Sequence, residues 1–303
     1  MSARARRLLA LFATCVLVLA ACGDDDGPLD LGGDGTTTTN GAATDTSNPG
    51  GADDPPVDDG SGAPPPAPGD TAPPGSSAPP PSGAPTTAPV VVPAVGDVGS
   101  YGTWYLRADT AATIRLEVRS QSGAEPRASS VDRIRTQLAR FSGKSVEVSG
   151  GSVPGGARSW SPGDLRAEAD RASASQSADR AVLTVLFLRG GLAGSETSLG
   201  VAVRSDVAAI FSDRVDEAAG LLGDGERIEN AVVTHELGHL LGLVDLLLDT
   251  GRQDPEHPGH SPNRRSVMYY AVESTLVGDL LEGGPPTEFD DADRADLARI
   301  AGR

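Results

Sequence analysis

The sequence predicts an α+β domain over residues 98–303, carried behind a long disordered stalk. Three observations lead there. The composition changes abruptly near Asp97, Ala181–Leu188 is a continuous apolar run of strand length, and Ser130–Phe141 and Gly225–Leu241 carry apolar residues at helical spacing. Strand and helix patterns intermingle after Asp97, and about 206 residues suffice for one domain with a sizeable core.

The chain divides into residues 1–22, 23–97 and 98–303. Arg4, Arg6 and Arg7 precede an apolar run from Leu8 to Ala21 that ends at Cys22, the pattern of a secretory signal rather than a spanning helix. Leu19–Cys22, LAAC, resembles a bacterial lipobox, which implies cleavage before Cys22, its lipidation, and an exported protein anchored to a membrane. The other cysteine, Cys15, lies in the segment to be removed, so no thiolate is left to hold a metal in the folded domain.

Residues 23–97 hold 16 of the 24 prolines and 12 acidic residues but no lysine or arginine. Such a chain cannot bury a core, and proline with like charge extends it into a stalk. The net charge of −17 divides into +3 for the signal, −12 for the stalk and −8 for the rest, which gives no basis for a nucleic-acid partner.

Within the domain, Tyr101–Arg107 and Thr113–Val118 alternate as strands would, with Tyr101, Trp104 and Tyr105 as core aromatics. Ser130 offers an N-cap for a helix whose Val131, Ile134, Leu138 and Phe141 share a face, Gly143 ends it, and KSVEV reads as a strand. Ser161 followed by Pro162 starts a weakly apolar surface helix. Ala181–Leu188 is the candidate central strand, buried on both faces, and Ser198–Phe211 holds two short β segments. Asp290 or Asp291 caps a last helix through Ile300, whose carboxylates read as a solvated face.

The chemistry concentrates in Ala231–Asp245, AVVTHELGHLLGLVD. His235 and His239, four residues apart, share one helix face, which suits two imidazoles on one Zn²⁺. Glu236 lies off that axis, where it can serve a water as general base without ligating the metal. Gly242 allows a sharp turn that could return Asp245 as third ligand, and Met268 within SVMYY could form a floor under the metal. The loop between them adds His257 and His260, so all four histidines fall between positions 235 and 260.

With HExxHxxGxxD and a methionine turn in this order, His235–Tyr270 resembles the metzincin zinc endopeptidases, and the aspartate at 245 is similar to their snapalysin-like branch. The resemblance covers about 40 residues closely. It implies a zincin domain with a mixed twisted sheet, an active-site helix and a C-terminal helix. An edge strand near Leu199–Ile210 would bind an extended peptide, with Zn²⁺ as cofactor and peptide or protein as substrate. It also implies Glu236 as base, Met268 as the Met-turn residue, and Tyr270 as a transition-state hydrogen-bond donor. The third ligand stays open: Asp245 holds the family position, while His260 or His257 would leave Asp245 to orient a ligand from outside. The alternative function is a zinc-binding cell-surface lipoprotein that does not cut peptides.

Overall fold

A computed structural model of the chain describes residues 89–171, 174–275 and 284–303. Residues 1–88, on which the expected signal, Cys22 and most of the expected stalk fall, lie outside the described residues. Residues 89–97, which composition assigns to the stalk, contact the domain: Pro93 accepts a hydrogen bond from the Tyr101 hydroxyl at 2.9 Å, and Gly96 accepts one from the Ser205 amide at 3.1 Å.

In chain order the elements are α1 (Gly102–Leu106), β1 (Thr113–Ser120), α2 (Ala128–Ser142), β2 (Ser145–Ser152), β3 (Arg158–Trp160), α3 (Pro162–Ala169), β4 (Arg180–Leu188), β5 (Gly190–Leu192), β6 (Gly200–Arg204), β7 (Val207–Phe211), α4 (Ser212–Leu222), α5 (Gly225–Leu240) and α6 (Asp291–Ile300). A 3₁₀ turn covers Tyr270–Glu273. Five strands form one sheet in the order β2-β1-β4-β7-β6, and β3 pairs with β5 in a second. The large sheet is parallel except for β6, which runs antiparallel to β7 at the edge. The expected mixed sheet is therefore present, but its mostly parallel strands make the architecture mixed α/β. β1, α2 and β2 form a crossover unit, which parallel neighbours require.

β4 is the middle strand, and its alternate residues supply two cores. Leu183, Val185 and Phe187 face the cluster built with Ile134, Leu138, Val233 and Leu237, whereas Leu186 and Leu188 join Trp160, Leu165 and Phe211 on the other side. Burial on both faces explains the uninterrupted apolar run. Because Leu165 and Ala169 are part of the second cluster, α3 is more than the surface helix its composition implies. Ser161 caps it with Pro162 in the first turn, as the sequence foretells, and Asp164 completes a capping box.

Two local expectations change. Residues 102–106 form a short helix where alternation implied a strand, and the reason is contact with α5. A Cβ on Gly102 would overlap the Leu241 carbonyl, and one on Gly99 would lie 3.3 Å from the His239 carbonyl, so residues 99–106 pack against the end of that helix. The aromatics Tyr101, Trp104 and Tyr105 are buried as expected. α2 begins at Ala128 with no side-chain cap, and the predicted cap Ser130 instead bonds Asn230 Oδ1 at 3.1 Å, tying α2 to α5.

The carboxylates of α6 are not all solvated. Asp293 and Asp296 are buried, with Asp290 and Asp293 forming a reciprocal capping box. Asp293 accepts a hydrogen bond from Ser266 Oγ at 3.1 Å, Arg252 pairs with Asp296, and Asn263 Nδ2 reaches Asp290 at 3.2 Å. The N-terminus of α6 thereby holds the loop that follows α5.

Burial, reinforced by the Asp290 charge, raises the Asp293 carboxyl from 3.8 to about 6. A folded-state value above the unfolded one stabilises the fold below the unfolded value, and that contribution is lost as pH rises through about 6. The lost share is about 3 kcal/mol in order of magnitude. Urea unfolding at pH 4 and pH 7.5 should show a smaller loss of stability for Asp293→Asn than for the wild type; equal losses would exclude Asp293 as a source.

Candidate metal centre

α5 positions the first two donors. Asp224 caps its start by accepting from the Arg227 amide at 2.9 Å, and Gly242, with φ +86°, lets the chain leave its end in a left-handed turn. From Ile228 to Leu240 every residue is buried, so the helix is a central element rather than a surface one. His235 and His239 lie one turn apart with Nε2 atoms separated by 3.0 Å and rings at 83°. The His235 Nδ1 donates to the Val267 carbonyl at 2.7 Å. That bond places the proton on Nδ1 and leaves the Nε2 lone pair free to face its neighbours.

His260 comes from the loop after α5. Its ring stacks on His235 at 5.2 Å and meets His239 edge-on at 5.0 Å. The loop is fixed locally, since Asp254 N donates to His260 O at 2.7 Å and Ser261 N to Met268 O at 2.8 Å. A fourth group completes the cluster. Glu273, on the 3₁₀ turn, lies 3.2 Å from His260 Nε2 and 3.6 Å from His235 Nε2. One donor atom from each of His235, His239, His260 and Glu273 falls within 4.8 Å of all the others.

Zn²⁺ at about 2.0–2.2 Å from each of four tetrahedral donors needs donor atoms of this kind at about this mutual spacing. The His260 ring nitrogens are shielded from solvent, and Nε2 faces the Glu273 carboxylate at 3.2 Å. The protonation states of His239 and Glu273 suit a cation. Burial, with His235 and His260 adding to it, holds His239 well below its ordinary value, so it is neutral. Burial would raise Glu273, but His260 and His235 outweigh it and hold the carboxyl well below the usual range. For His260 burial pulls down, yet the Glu273 charge prevails and raises it. The three imidazoles and one carboxylate fit a Zn²⁺ site.

Asp245 lies outside this cluster, and the reason is local. Val244 and Asp245 both have positive φ, 52° and 63°, which carries the chain away from the helix axis. The Asp245 carboxylate then accepts from the amides of Thr250 at 2.8 Å, Arg252 at 3.0 Å and Gln253 at 3.1 Å, and from the Thr250 hydroxyl. These bonds hold it ionised, against the opposing effect of burial. Asp245 thus organises the start of the loop that delivers His260, and it is His260, the other candidate, that is grouped with His235 and His239. His257 is also outside, with its ring stacked on Tyr270 at 3.6 Å. Tyr270 packs against Tyr269 as well, ring to ring at 4.7 Å.

Met268 is fully buried directly under α5, where a Cβ on Gly238 would overlap its sulfur. Gly238 lies between the two helical histidines, so the methionine forms the expected floor. Ser266 Oγ accepts from the Met268 amide at 3.0 Å and donates to Asp293, which fixes the turn to α6.

Glu236 is buried beside the cluster, bordering a small cavity lined by Val233, Leu237 and Ile210, and the Ala202 backbone on β6 is the hydrogen-bonding group that acts on it. Burial and the nearby Glu273 charge raise it well above the carboxylate range. It faces β6: a Cβ on Gly200 would come within 2.8 Å of Glu236 Oε1. Glu273 is the donor that spacing did not reveal. Its only signal was a carboxylate one turn of 3₁₀ helix after Tyr270, within five residues of Met268. A separate surface cavity of about 740 Å³, between Arg158, Glu196 and Arg214, contains none of these donors.

No protein-family model matches the chain, and no curated protein matches it. Among solved structures, it is similar to an archaemetzincin from Methanopyrus kandleri, at 23% identity and a TM-score of 0.41 over 63% of this chain and 97% of that one. An archaemetzincin from Archaeoglobus fulgidus complexed with malonate gives 16% and 0.36, over 60% and 99% of the two chains. A zinc-dependent peptidase from Methanocorpusculum labreanum gives 16% and 0.35, again over 60% and 99%. These scores are too low to establish a shared fold, so function rests on the side chains themselves.

Proposed function

We propose that the chain is a zinc-dependent endopeptidase of metzincin type, exported and held to a membrane through lipidated Cys22, with residues 23–88 as its stalk. The observation that carries the peptidase reading is Glu236. A fully buried carboxylate whose one hydrogen-bonding neighbour is the Ala202 backbone, one residue from a histidine donor and against the sheet edge, costs stability that a purely structural site has no reason to accept. His235, His239 and His260 are the ligands in this reading. Bound there, Zn²⁺ supplies the Lewis acidity that polarises a scissile carbonyl and acidifies a water.

The protein's own groups do the rest. Glu236 accepts a proton at a side-chain oxygen and returns it to the leaving nitrogen, a role its place one residue from His235 and against β6 allows. Val267 holds the His235 tautomer through its carbonyl. The edge strand β6, with Gly200 next to Glu236, offers backbone groups to an extended peptide.

A second reading has one specific observation in its favour. Four donors at mutual ligand distance could close around zinc as a structural site does, which fits a zinc-binding surface module without hydrolytic activity. The full chain, assayed for zinc per molecule and for cleavage of an unstructured protein with and without chelator, separates the two. About one zinc per chain with chelator-sensitive cleavage is expected. Zinc without cleavage under any condition would favour the surface module, and absence of zinc would overturn both.

A further inference from the structure

Glu273 is placed differently from a carboxylate that merely orients a ligand. Such a partner bonds the ring nitrogen pointing away from the metal. On His235 that nitrogen, Nδ1, is already taken by Val267, and Glu273 approaches Nε2, the nitrogen shared with the other donors. On His260 it also approaches Nε2. The carboxylate therefore lies on the metal side of both rings.

Its backbone is held there by the stretch leading into β6. Leu199 N donates to Glu273 O at 2.7 Å, Thr275 N donates to Thr197 O at 2.9 Å, and Ser198 and Ser274 form an antiparallel bridge. Ser274 alone is extended, and it makes a single antiparallel rung with Ser198, flanked by the two backbone hydrogen bonds of Glu273 and Thr275, immediately before Gly200, which packs on Glu236. That rung occupies backbone groups beside the edge strand that an extended peptide would use. From the backbone and the carboxylate together, we infer that Glu273 is a fourth, inner ligand of the metal and that residues 273–275 act as an internal occupant of the cleft, closing the site in the resting protein.

The inference rests on the zinc reading of the same site. A catalytic zinc keeps one position for water or substrate, whereas Glu273 fills that position. Opening then requires the carboxylate to leave the metal and the 273–275 pairing to release. The apparent affinity for anything that takes the fourth position is lowered by the fraction of molecules that are open.

The test uses the full chain loaded with Co²⁺, whose visible absorption reports the ligand set, titrated with azide as a small anion that needs an open position. Wild type, Glu273→Ala and Glu273→Gln are compared, and cleavage of an unstructured protein is measured on the zinc forms. Azide should perturb both variants at concentrations at least about tenfold lower than the wild type, and cleavage should rise in the variants. The glutamine variant is nearly isosteric and carries the test if the alanine variant does not fold.

Azide midpoints equal in wild type and variants would overturn the inference while leaving the zinc reading intact. Distinct midpoints without cleavage in any form would uphold Glu273 as a ligand and overturn the peptidase reading. No bound Co²⁺ in any form would overturn both.

Discussion

Glu236→Gln is expected to leave zinc bound and to reduce peptide hydrolysis by about 10²- to 10⁴-fold, the range for loss of a general base. The amide preserves size and the packing against Gly200 and Val232, but it cannot take a proton. Because Glu236 is poorly hydrogen-bonded and the amide keeps its shape, the thermal midpoint of the metal-free protein should change little. Elemental analysis and turnover on one preparation check both halves of the expectation. Activity retained within about tenfold would transfer the base role elsewhere, with Glu273 the nearest other carboxylate. Loss of zinc would instead make Glu236 part of what holds the metal.

The second large effect concerns the third ligand. His260→Ala should weaken zinc binding by more than the ~10–100-fold typical of losing a residue that only supports a ligand. Asp245→Ala should fall within that range, because its carboxylate holds the backbone of residues 250–253 and not the metal. Competition with a chromophoric chelator gives both affinities. The opposite ranking would return the ligand role to Asp245 and displace His260 from the site.

The contrast between these residues shows what a linear pattern can reveal. His235, Glu236 and His239 were legible because a helix converts a four-residue interval into a shared face, and nothing beyond helix formation is needed. Met268 and the central strand were legible for a similar reason, since each belongs to a short apolar run whose burial follows from its composition. The choice between Asp245 and His260 was not legible because the position of Asp245 depends on two positive-φ residues after Gly242, and a valine gives no local hint that it will adopt that conformation.

Glu273 comes 38 residues after His235, and its arrival depends on pairing between residues 273–275 and 197–199, a long-range contact that no interval encodes. Helix α1 was read as a strand because its aromatics favour β structure in isolation. Contact of Gly99 and Gly102 with the end of α5 overrides that preference. The burial of Asp293 and Asp296 escaped for the same reason: a capped, acidic helix looks solvated until the loop that covers it is in place.

That last arrangement separates the donors from the groups that support them. All four donors lie at or before residue 273, yet contacts that hold the loop and the methionine turn come from Asp290, Asp293 and Asp296. A chain cut before Asp290 would carry every donor while lacking the groups that fix Asn263, Ser266 and Arg252 around them. The last ten-residue helix is thus a brace for a centre to which it contributes no donor.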